Sequence, residues 1–228
     1  MDILLTHGYY LEDDPKEREI RKPYPPLVIL YLTSHLQAKG FAVEVHDSTF
    51  SSFEALSDRL ASTPRSTLGV YATLLTRPSA VRIIRRAKSL GWRVIAGGPE
   101  PANYAQEYLN AGADLVVEGE GEVTLEELLS GADPAQTPGL HLLDDKGQAA
   151  FTGPREQIAD LNAQPLPARE QIDIQQYLEC WRKAHGKTSL NLITARGCPY
   201  RCRWCSHSTF GLTHRRRSPA NVADEVAC

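Results

Sequence analysis

The chain has 228 residues, a formal net charge of −3 and five cysteines. Its length suits one large or two small domains with a hydrophobic core, and its small net charge gives no global electrostatic reason to expect nucleic acid or an anionic membrane as a partner. The sequence has no run of about 18 apolar residues and no basic segment followed by an apolar stretch at its N-terminus. We therefore expect a soluble, cytoplasmic protein whose partners are small molecules or proteins.

Residues 2 to about 130 alternate short apolar strands with amphipathic helical stretches, which is typical of a parallel sheet covered by helices on both faces. The second strand alternates apolar and polar residues, which places it at an edge of the sheet. We expect an α/β fold with a flavodoxin-like, doubly wound parallel sheet in the order 2-1-3-4-5. The five predicted strands are Asp2–Thr6, Phe41–His46, Leu68–Ala72, Arg93–Ala96 and Asp114–Glu118.

Glycines and one polar pair mark the ends of the helices between these strands. Gly40, Gly91 and Gly112 each follow a helical stretch, at the position where a left-handed residue commonly ends a helix. Thr124 and Glu127 have the T-x-x-E spacing of a capping box. This pair predicts a helix start just after the fifth strand.

The pattern changes beyond residue 130. Gly139–Leu143 and Gln148–Thr152 predict a hairpin with an Asp-Asp-Lys-Gly turn, and three prolines then favour an extended linker over a helix. Leu190–Thr194 predicts a new buried strand, and Ser218 followed by Pro219 predicts the start of a helix. We divide the chain into a ligand-binding domain (1–132), a hairpin and linker (133–188) and a third segment (189–228).

The loops at the carboxyl ends of the predicted strands form a candidate ligand site, because open parallel sheets bind ligands where the strand order reverses. Gly97 and Gly98 follow the fourth strand and allow a ligand to approach the backbone closely. A Gly-Glu-Gly-Glu run at residues 119–122 makes another tight turn after the fifth strand. The chain lacks a G-x-G-x-x-G motif in this region, which disfavours a nicotinamide cofactor.

The cysteines are concentrated near the end of the chain. All five lie between Cys180 and Cys228, whereas a disulfide framework would be spread through the fold. Cys198, Cys202 and Cys205 place three thiolates within eight residues, and thiolates are preferred ligands of Fe–S clusters, Zn and Cu(I). The C-x3-C-x2-C spacing therefore predicts a metal centre with one coordination position left open.

This cysteine loop, with Trp204 just before its last cysteine, resembles that of the radical S-adenosylmethionine (radical SAM) family. The resemblance implies that Cys198, Cys202 and Cys205 hold a 4Fe-4S cluster whose fourth iron binds S-adenosylmethionine. Electron transfer would then cleave that cofactor to a 5′-deoxyadenosyl radical. It also implies that Trp204 covers the cluster close to S-adenosylmethionine, although an aromatic residue is by default part of a core.

Taken with the downstream cysteines, residues 1 to about 130 resemble the cobalamin-binding domain that precedes many radical SAM barrels. The resemblance implies that the nucleotide tail of cobalamin lies on the third-strand loop and the paired glycines, and that the Gly-Glu-Gly-Glu run belongs to the same subfamily. The cofactor contacts that it implies are Tyr71, Ala72, Thr73, Gly97, Gly98, Glu120 and Gly121.

One departure concerns cobalt. Cobalamin proteins that ligate cobalt through histidine carry Asp-x-His-x-x-Gly after the first strand, whereas this chain has Leu-Leu-Thr-His-Gly-Tyr at residues 4–9. We expect cobalt to receive no protein histidine here, and we expect His7→Ala to leave the cobalt absorption bands in place.

Other readings of the same residues stay open. Cys198, Cys202, Cys205 and His207 could form a structural Cys3His zinc site. The basic run at residues 214–217 could contact phosphate or RNA, although four such residues usually form a solvated face. The charged stretch 12–22 is expected to be a solvated loop, and Cys180 and Cys228 are expected to be ordinary thiols.

The function that we predict is that of a cobalamin-dependent radical SAM enzyme acting on a small-molecule substrate, with an electron donor such as flavodoxin or ferredoxin. Methyl transfer or cyclisation at an unactivated carbon is the expected chemistry, in a closed barrel that excludes water. The chain ends at residue 228, soon after the predicted helix begins. We therefore expect an N-terminal fragment, which alone would be a cobalamin-binding module without turnover; a zinc-stabilised adaptor is the third reading.

Overall fold

The protein is described at residues 1–205 and 209–227 by a computed structural model. A seven-stranded sheet lies at its centre, in the order β2-β1-β3-β4-β5-β6-β7. β1 to β5 are parallel, while β6 and β7 continue the sheet as antiparallel strands. The strands are β1 Ile3–His7, β2 Val43–His46, β3 Thr67–Tyr71, β4 Arg93–Gly97, β5 Leu115–Val117, β6 Leu140–Leu143 and β7 Ala149–Phe151.

The predicted flavodoxin-like order 2-1-3-4-5 is therefore confirmed, with β2 at an edge. The predicted hairpin also forms, and its first strand pairs with β5, so it extends the sheet rather than standing apart from it.

Eight α-helices are described, and their ends follow local sequence signals. Gly40, Gly91 and Gly112 lie just beyond α2, α4 and α5 with φ of 89°, 83° and 114°, as predicted. Ser218 Oγ accepts the Asn221 N–H at 3.1 Å and so caps α8. The helices are α1 Pro15–Ile20, α2 Leu27–Ala38, α3 Phe53–Ser62, α4 Arg77–Ser89, α5 Ala105–Asn110, α6 Gly121–Leu129, α7 Ile174–His185 and α8 Pro219–Ala227.

The side chains of alternating strand residues pack into two apolar layers, one on each face of the sheet. Leu4, on β1, packs in the layer that includes α3, α4 and α5, whereas its neighbours Ile3 and Leu5 pack in the layer that includes α2 and α6. The same alternation on β4 sends Ala96 to the first layer and Ile95 to the second. Burial on both faces is what makes these strands read as continuous apolar runs.

The helix predicted just after the fifth strand is confirmed as α6, but its predicted capping residue was wrong, and two other helices were not predicted. Helix α6 begins at Gly121, so Thr124 lies inside it, where its hydroxyl donates to the Glu120 carbonyl, and it is no N-cap. The stretch 12–22 contains α1, whose first N–H groups are capped by Asp14. Helix α7 lies inside the predicted linker, where Asp173 caps its start and Gly186 ends it in the left-handed conformation. The prolines at 154, 165 and 167 favour an extended chain and so hide the two end signals of α7, Asp173 and Gly186.

The predicted buried strand at Leu190–Thr194 was also wrong. The stretch has no regular structure, and Leu190 and Leu192 are 39% and 41% exposed. Arginines donate to its carbonyls in place of a neighbouring strand. The Arg169 side chain donates to Asn191, the Arg217 side chain donates to Ile193, and the Arg217 backbone N–H donates to Thr194. A two-residue strand follows, β8 Ala195–Arg196, and pairs antiparallel with β9 Arg215–Arg216. We call residues 190–205 and 209–217 the cysteine segment.

A membrane-spanning candidate was sought among the same residues. Of the helices in 1–205 and 209–227, none is both long and apolar enough to cross a bilayer.

Candidate functional site

A cavity of about 60 Å³ lies at the carboxyl ends of β1, β3, β4 and β5. The start of α2 forms another wall, and the cysteine segment closes it through Arg196 and Phe210. The fold thus places the pocket at the predicted edge of the sheet.

The paired glycines of the pocket wall have different reasons to be glycine. Gly98 has φ of 116°, and a Cβ there would lie 2.4 Å from the Ala72 carbonyl oxygen, so a side chain is excluded by the protein itself. A Cβ on Gly97 would meet Val117 Cβ at 3.7 Å, an ordinary contact. Gly97 therefore leaves open a space that the fold does not require to be open, which fits a closely approaching ligand.

Of the other predicted contacts, at the end of β3, Tyr71 lines the pocket, whereas Ala72 and Thr73 form backbone hydrogen bonds within the protein. Tyr71 is half-buried and lines the pocket, and burial raises the pKa of its hydroxyl. Ala72 lies beneath, fully buried, with its N–H donated to the Gly97 carbonyl at 2.8 Å. Thr73 donates its N–H to Thr76 Oγ1 at 2.9 Å, in the turn that starts α4. Contact of Ala72 or Thr73 with a cofactor stays a prediction.

Glu120 and Gly121 also line the pocket, but the Glu120 carboxylate is engaged by protein groups. It pairs with Arg196 at 2.8 Å and with Arg215 at 2.7 Å, and its side chain is 3% exposed. Gly121 faces Leu32, whose Cδ2 would lie 3.2 Å from an added Cβ. A cofactor role of Glu120 and Gly121 stays a prediction, while the ion pairs are a role that the sequence did not reveal.

His7 turns towards β2. Its Nε2 lies 3.0 Å from Asp47 Oδ1, and its Nδ1 accepts the Tyr9 N–H at 3.2 Å. Burial alone would raise the pKa of Asp47, but its contact with His7, together with the Tyr177 hydroxyl at 2.7 Å and the Thr49 N–H, lowers it to about 2. Both ring nitrogens of His7 are thus engaged within the protein.

The cysteine loop follows β8 directly and faces solvent. Cys198 is partly exposed, Cys202 and Cys205 are exposed, and Trp204 is 89% exposed, so the expectation of a core aromatic was wrong. The thiolates suit an Fe–S cluster by their chemistry. Within residues 1–205 and 209–227, however, no three His, Cys, Asp or Glu side chains are grouped to hold a metal ion. Convergence of the three sulfurs on one centre stays a prediction.

The other cysteine and histidine predictions have mixed outcomes. Cys180 is partly exposed, and its thiol lies 3.9 Å from the Arg21 carbonyl; burial raises its pKa, which suits an ordinary thiol. His207 and Cys228 lie outside the described residues, so the zinc alternative is not addressed at its fourth ligand.

The basic run at 214–217 is no uniform solvated face. Arg215 and Arg217 have side chains 12% and 4% exposed, and each is paired with a carboxylate, whereas Arg216 is exposed. Arg217 contacts Glu225, the Tyr31 hydroxyl and the Ile193 carbonyl. These two arginines are therefore engaged inside the protein. The sequence, with three consecutive arginines at 215–217, gave no signal that would separate the buried ones from the exposed one.

Comparison with known proteins identifies similar sequences. Residues 18–129 match the family described as B12 binding domain. An uncharacterized methyltransferase of Pyrococcus horikoshii, PH0819, is 28% identical over 219 residues, covering 89% of this chain and 45% of the relative. The anaerobic magnesium-protoporphyrin IX monomethyl ester cyclase of Synechocystis is 26% identical over 224 residues, covering 93% of this chain and 43% of the relative. The chain thus spans less than half the length of these relatives.

A solved structure agrees with the sequence matches. The cobalamin-dependent S-adenosylmethionine radical enzyme OxsB, with aqua-cobalamin and S-adenosylmethionine bound, superposes with a TM-score of 0.76 at 20% identity, covering 99% of this chain and 31% of that one. Residues 18–129 thus match a B12-binding domain in sequence, and the chain has the fold of the matching part of OxsB.

Proposed function

We propose that the protein is a cobalamin-dependent radical SAM enzyme in which this chain supplies the cobalamin site and the loop for a 4Fe-4S cluster. The observation that carries the proposal is a second pocket, of about 350 Å³, beside the first. It is lined by Tyr71 and Pro99 from the sheet and by Cys198 and Cys205 from the cysteine loop. Tyr71 lines both pockets, so the two predicted cofactor sites adjoin.

The cofactors would supply the reactive chemistry, namely reductive cleavage of S-adenosylmethionine and carriage of a methyl group. The residues of this chain bind and orient them. Gly97 and Tyr71 shape the cobalamin pocket, the three cysteines hold the cluster, and the apolar walls exclude water. Methyl transfer or cyclisation at an unactivated carbon of a small molecule is the reaction we propose. The names of the relatives, methyltransferase and cyclase, support it. Flavodoxin or ferredoxin is the proposed electron donor.

Iron binding tests the cluster half of the proposal. After anaerobic reconstitution with iron and sulfide, we expect about four irons per chain, an absorption band of the cluster, and loss of both in Cys202→Ser. Cys180→Ser is the matched control and should keep its iron. A colourless chain that contains zinc would contradict the cluster and favour the Cys3His adaptor.

Cobalamin binding tests the other half. Titration of the chain with hydroxocobalamin should give a saturable change in the cobalt absorption bands, and those bands should be the same in His7→Ala, because His7 is held by Asp47 and Tyr9. A large shift of the bands in His7→Ala would show that His7 ligates cobalt.

A binding module without turnover is the proposal for the 228-residue chain by itself. Its exposed cysteine loop favours this reading, since radical chemistry needs a site closed to water. Cleavage of S-adenosylmethionine by the purified, reduced chain would contradict it.

A further inference from the structure

One carboxylate holds both ends of the cysteine loop. Glu120 Oε1 accepts from Arg196 Nη1 at 2.8 Å, and Glu120 Oε2 accepts from Arg215 Nη1 at 2.7 Å and from the Ile158 N–H at 2.8 Å. Arg196 and Arg215 are partners in the β8–β9 pair, which closes the loop between them. Glu120 is thus bonded to the residues on both sides of the loop, Arg196 before it and Arg215 after it.

A second carboxylate completes the arrangement. Glu122 Oε1 lies 2.7 Å from Arg196 Nη2, so one guanidinium joins two carboxylates. The side chains of Arg196 and Glu122 are 5% and 6% exposed. The guanidinium also lies 5.5 Å from the Tyr31 ring centre and 5.4 Å from that of Phe210. Its direction and its plane are therefore fixed from several sides.

The chemistry of this cluster suits a role in fixing the position of the cysteine loop better than a role in stabilising the fold. Buried ion pairs lose hydration, and apolar residues of similar volume often stabilise a fold equally well or better. Charged groups in a fixed fork, by contrast, accept few alternative arrangements. The two glutamates belong to the B12-binding domain, whereas both arginines flank the predicted cluster ligands. The pairs therefore join the wall of one predicted cofactor site to the loop of the other.

We infer that Glu120 and Glu122 are positioning residues, which act through Arg196 and Arg215 to hold the cysteine loop at a fixed place against the cobalamin pocket. The inference rests on the proposed function, because the two pockets matter together only if both hold cofactors. It gives the Gly-Glu-Gly-Glu run a task different from binding cobalamin: its carboxylates set the distance and orientation between the two sites.

Backbone hydrogen exchange on the unaltered 228-residue chain and on Glu120→Gln is the first test. In this variant Arg215 loses the carboxylate that it pairs with and Arg196 keeps only Glu122, so exchange at residues 195–198 and 215–217 should accelerate by about a hundredfold. Exchange in β3 and β4 should stay unchanged. Glu126→Gln is the control on the same helix, because Glu126 pairs with Lys39 inside the B12-binding domain. Unchanged exchange in Glu120→Gln would overturn the inference.

A distance measurement separates positioning from simple stabilisation. Spin labels at Leu75→Cys, in the turn between β3 and α4, and at Arg216→Cys, on β9, both occupy exposed sites. The labelled variants also carry serine in place of the five native cysteines. Pulsed electron paramagnetic resonance should give a narrow distance distribution that broadens in Glu120→Gln and, less, in Glu122→Gln. The milder variant serves if Glu120→Gln does not fold. Faster exchange with an unbroadened distribution would overturn the inference.

Cobalamin affinity distinguishes the inference from the proposed function. In Glu120→Gln the Kd for hydroxocobalamin should stay within about twofold, since the carboxylate touches protein groups. A weakened Kd with an unbroadened distribution would make Glu120 a cofactor ligand and overturn positioning. An unaltered chain that binds no cobalamin would contradict the proposed function, while the label distances, measured without cofactors, would still decide whether the carboxylates fix the loop.

Discussion

The parallel sheet and the cysteine segment are stabilised in different ways. Leu4, Leu68 and Ala96 are 0% exposed, and their backbone groups pair with neighbouring strands. In the cysteine segment, leucines are largely exposed and the carbonyls of Asn191 and Ile193 accept from arginine side chains. The comparison teaches that the domain that forms the first pocket is built from apolar burial, while the loop beside it is held by charge.

Truncating one leucine to alanine in each region should show the difference between the sheet and the cysteine segment most clearly. Leu4→Ala removes a fully buried side chain and should lower the free energy of unfolding by about 2–5 kcal/mol. Leu192→Ala, at a 41% exposed site, should change it by less than about 0.5 kcal/mol. Urea unfolding followed by circular dichroism measures both. Equal losses would mean that the cysteine segment has an apolar core of its own.

Acid should weaken the sheet through Asp47. Its pKa is lowered from 3.8 to about 2 in the folded protein, chiefly by His7 and Tyr177 acting against burial. The unfolded chain therefore takes up the proton first, so a stabilisation of about 2 kcal/mol is complete above about pH 4 and is lost as the pH falls towards 2. Asp47→Asn should remove this part of the pH dependence. The check is urea unfolding at several pH values, and an unchanged slope in Asp47→Asn would contradict the role of the carboxylate.

Two neighbouring arginines, Arg216 and Arg217, should differ in how much they stabilise the cysteine segment. Arg217→Met leaves Glu225 buried with Arg169 as its remaining cation, and it should destabilise the segment by about 2 kcal/mol. Arg216→Met, on the exposed side, should have an effect below about 0.5 kcal/mol. Hydrogen exchange at residues 190–194 reads the difference locally. Similar protection in both variants would show that the paired charge does not hold the segment.

The two pocket glycines should separate fold from binding. Gly97→Ala meets only an ordinary contact, so it should leave stability almost unchanged and weaken cobalamin by about tenfold through lost space. Gly98→Ala, with its Cβ against the Ala72 carbonyl, should destabilise the fold instead. Absorption titration and thermal unfolding report the two effects. Undiminished affinity in Gly97→Ala would contradict close approach of the ligand at this position.

Much of the sheet could be predicted because its signals are local. Strand periodicity, the glycines after α2, α4 and α5, and the Ser218 cap each depend on a few adjacent residues. Where local signals compete, prediction failed: the prolines hid α7, and the T-x-x-E pattern at Thr124 imitated a cap. The apolar run 190–194 looked like a buried strand because a sequence does not show which neighbour, if any, will pair with it.

The sequence by itself determined the order of the parallel strands, the glycine turns and the presence of three thiolates in one loop, because apolar period, backbone freedom and donor type are properties of neighbouring residues. The tertiary structure decided the partners. Glu120 lies 76 residues from Arg196 and 95 from Arg215, and His7 lies 40 from Asp47. Charges so far apart in the chain meet only after the sheet has formed, since folding alone brings distant segments to within hydrogen-bonding distance.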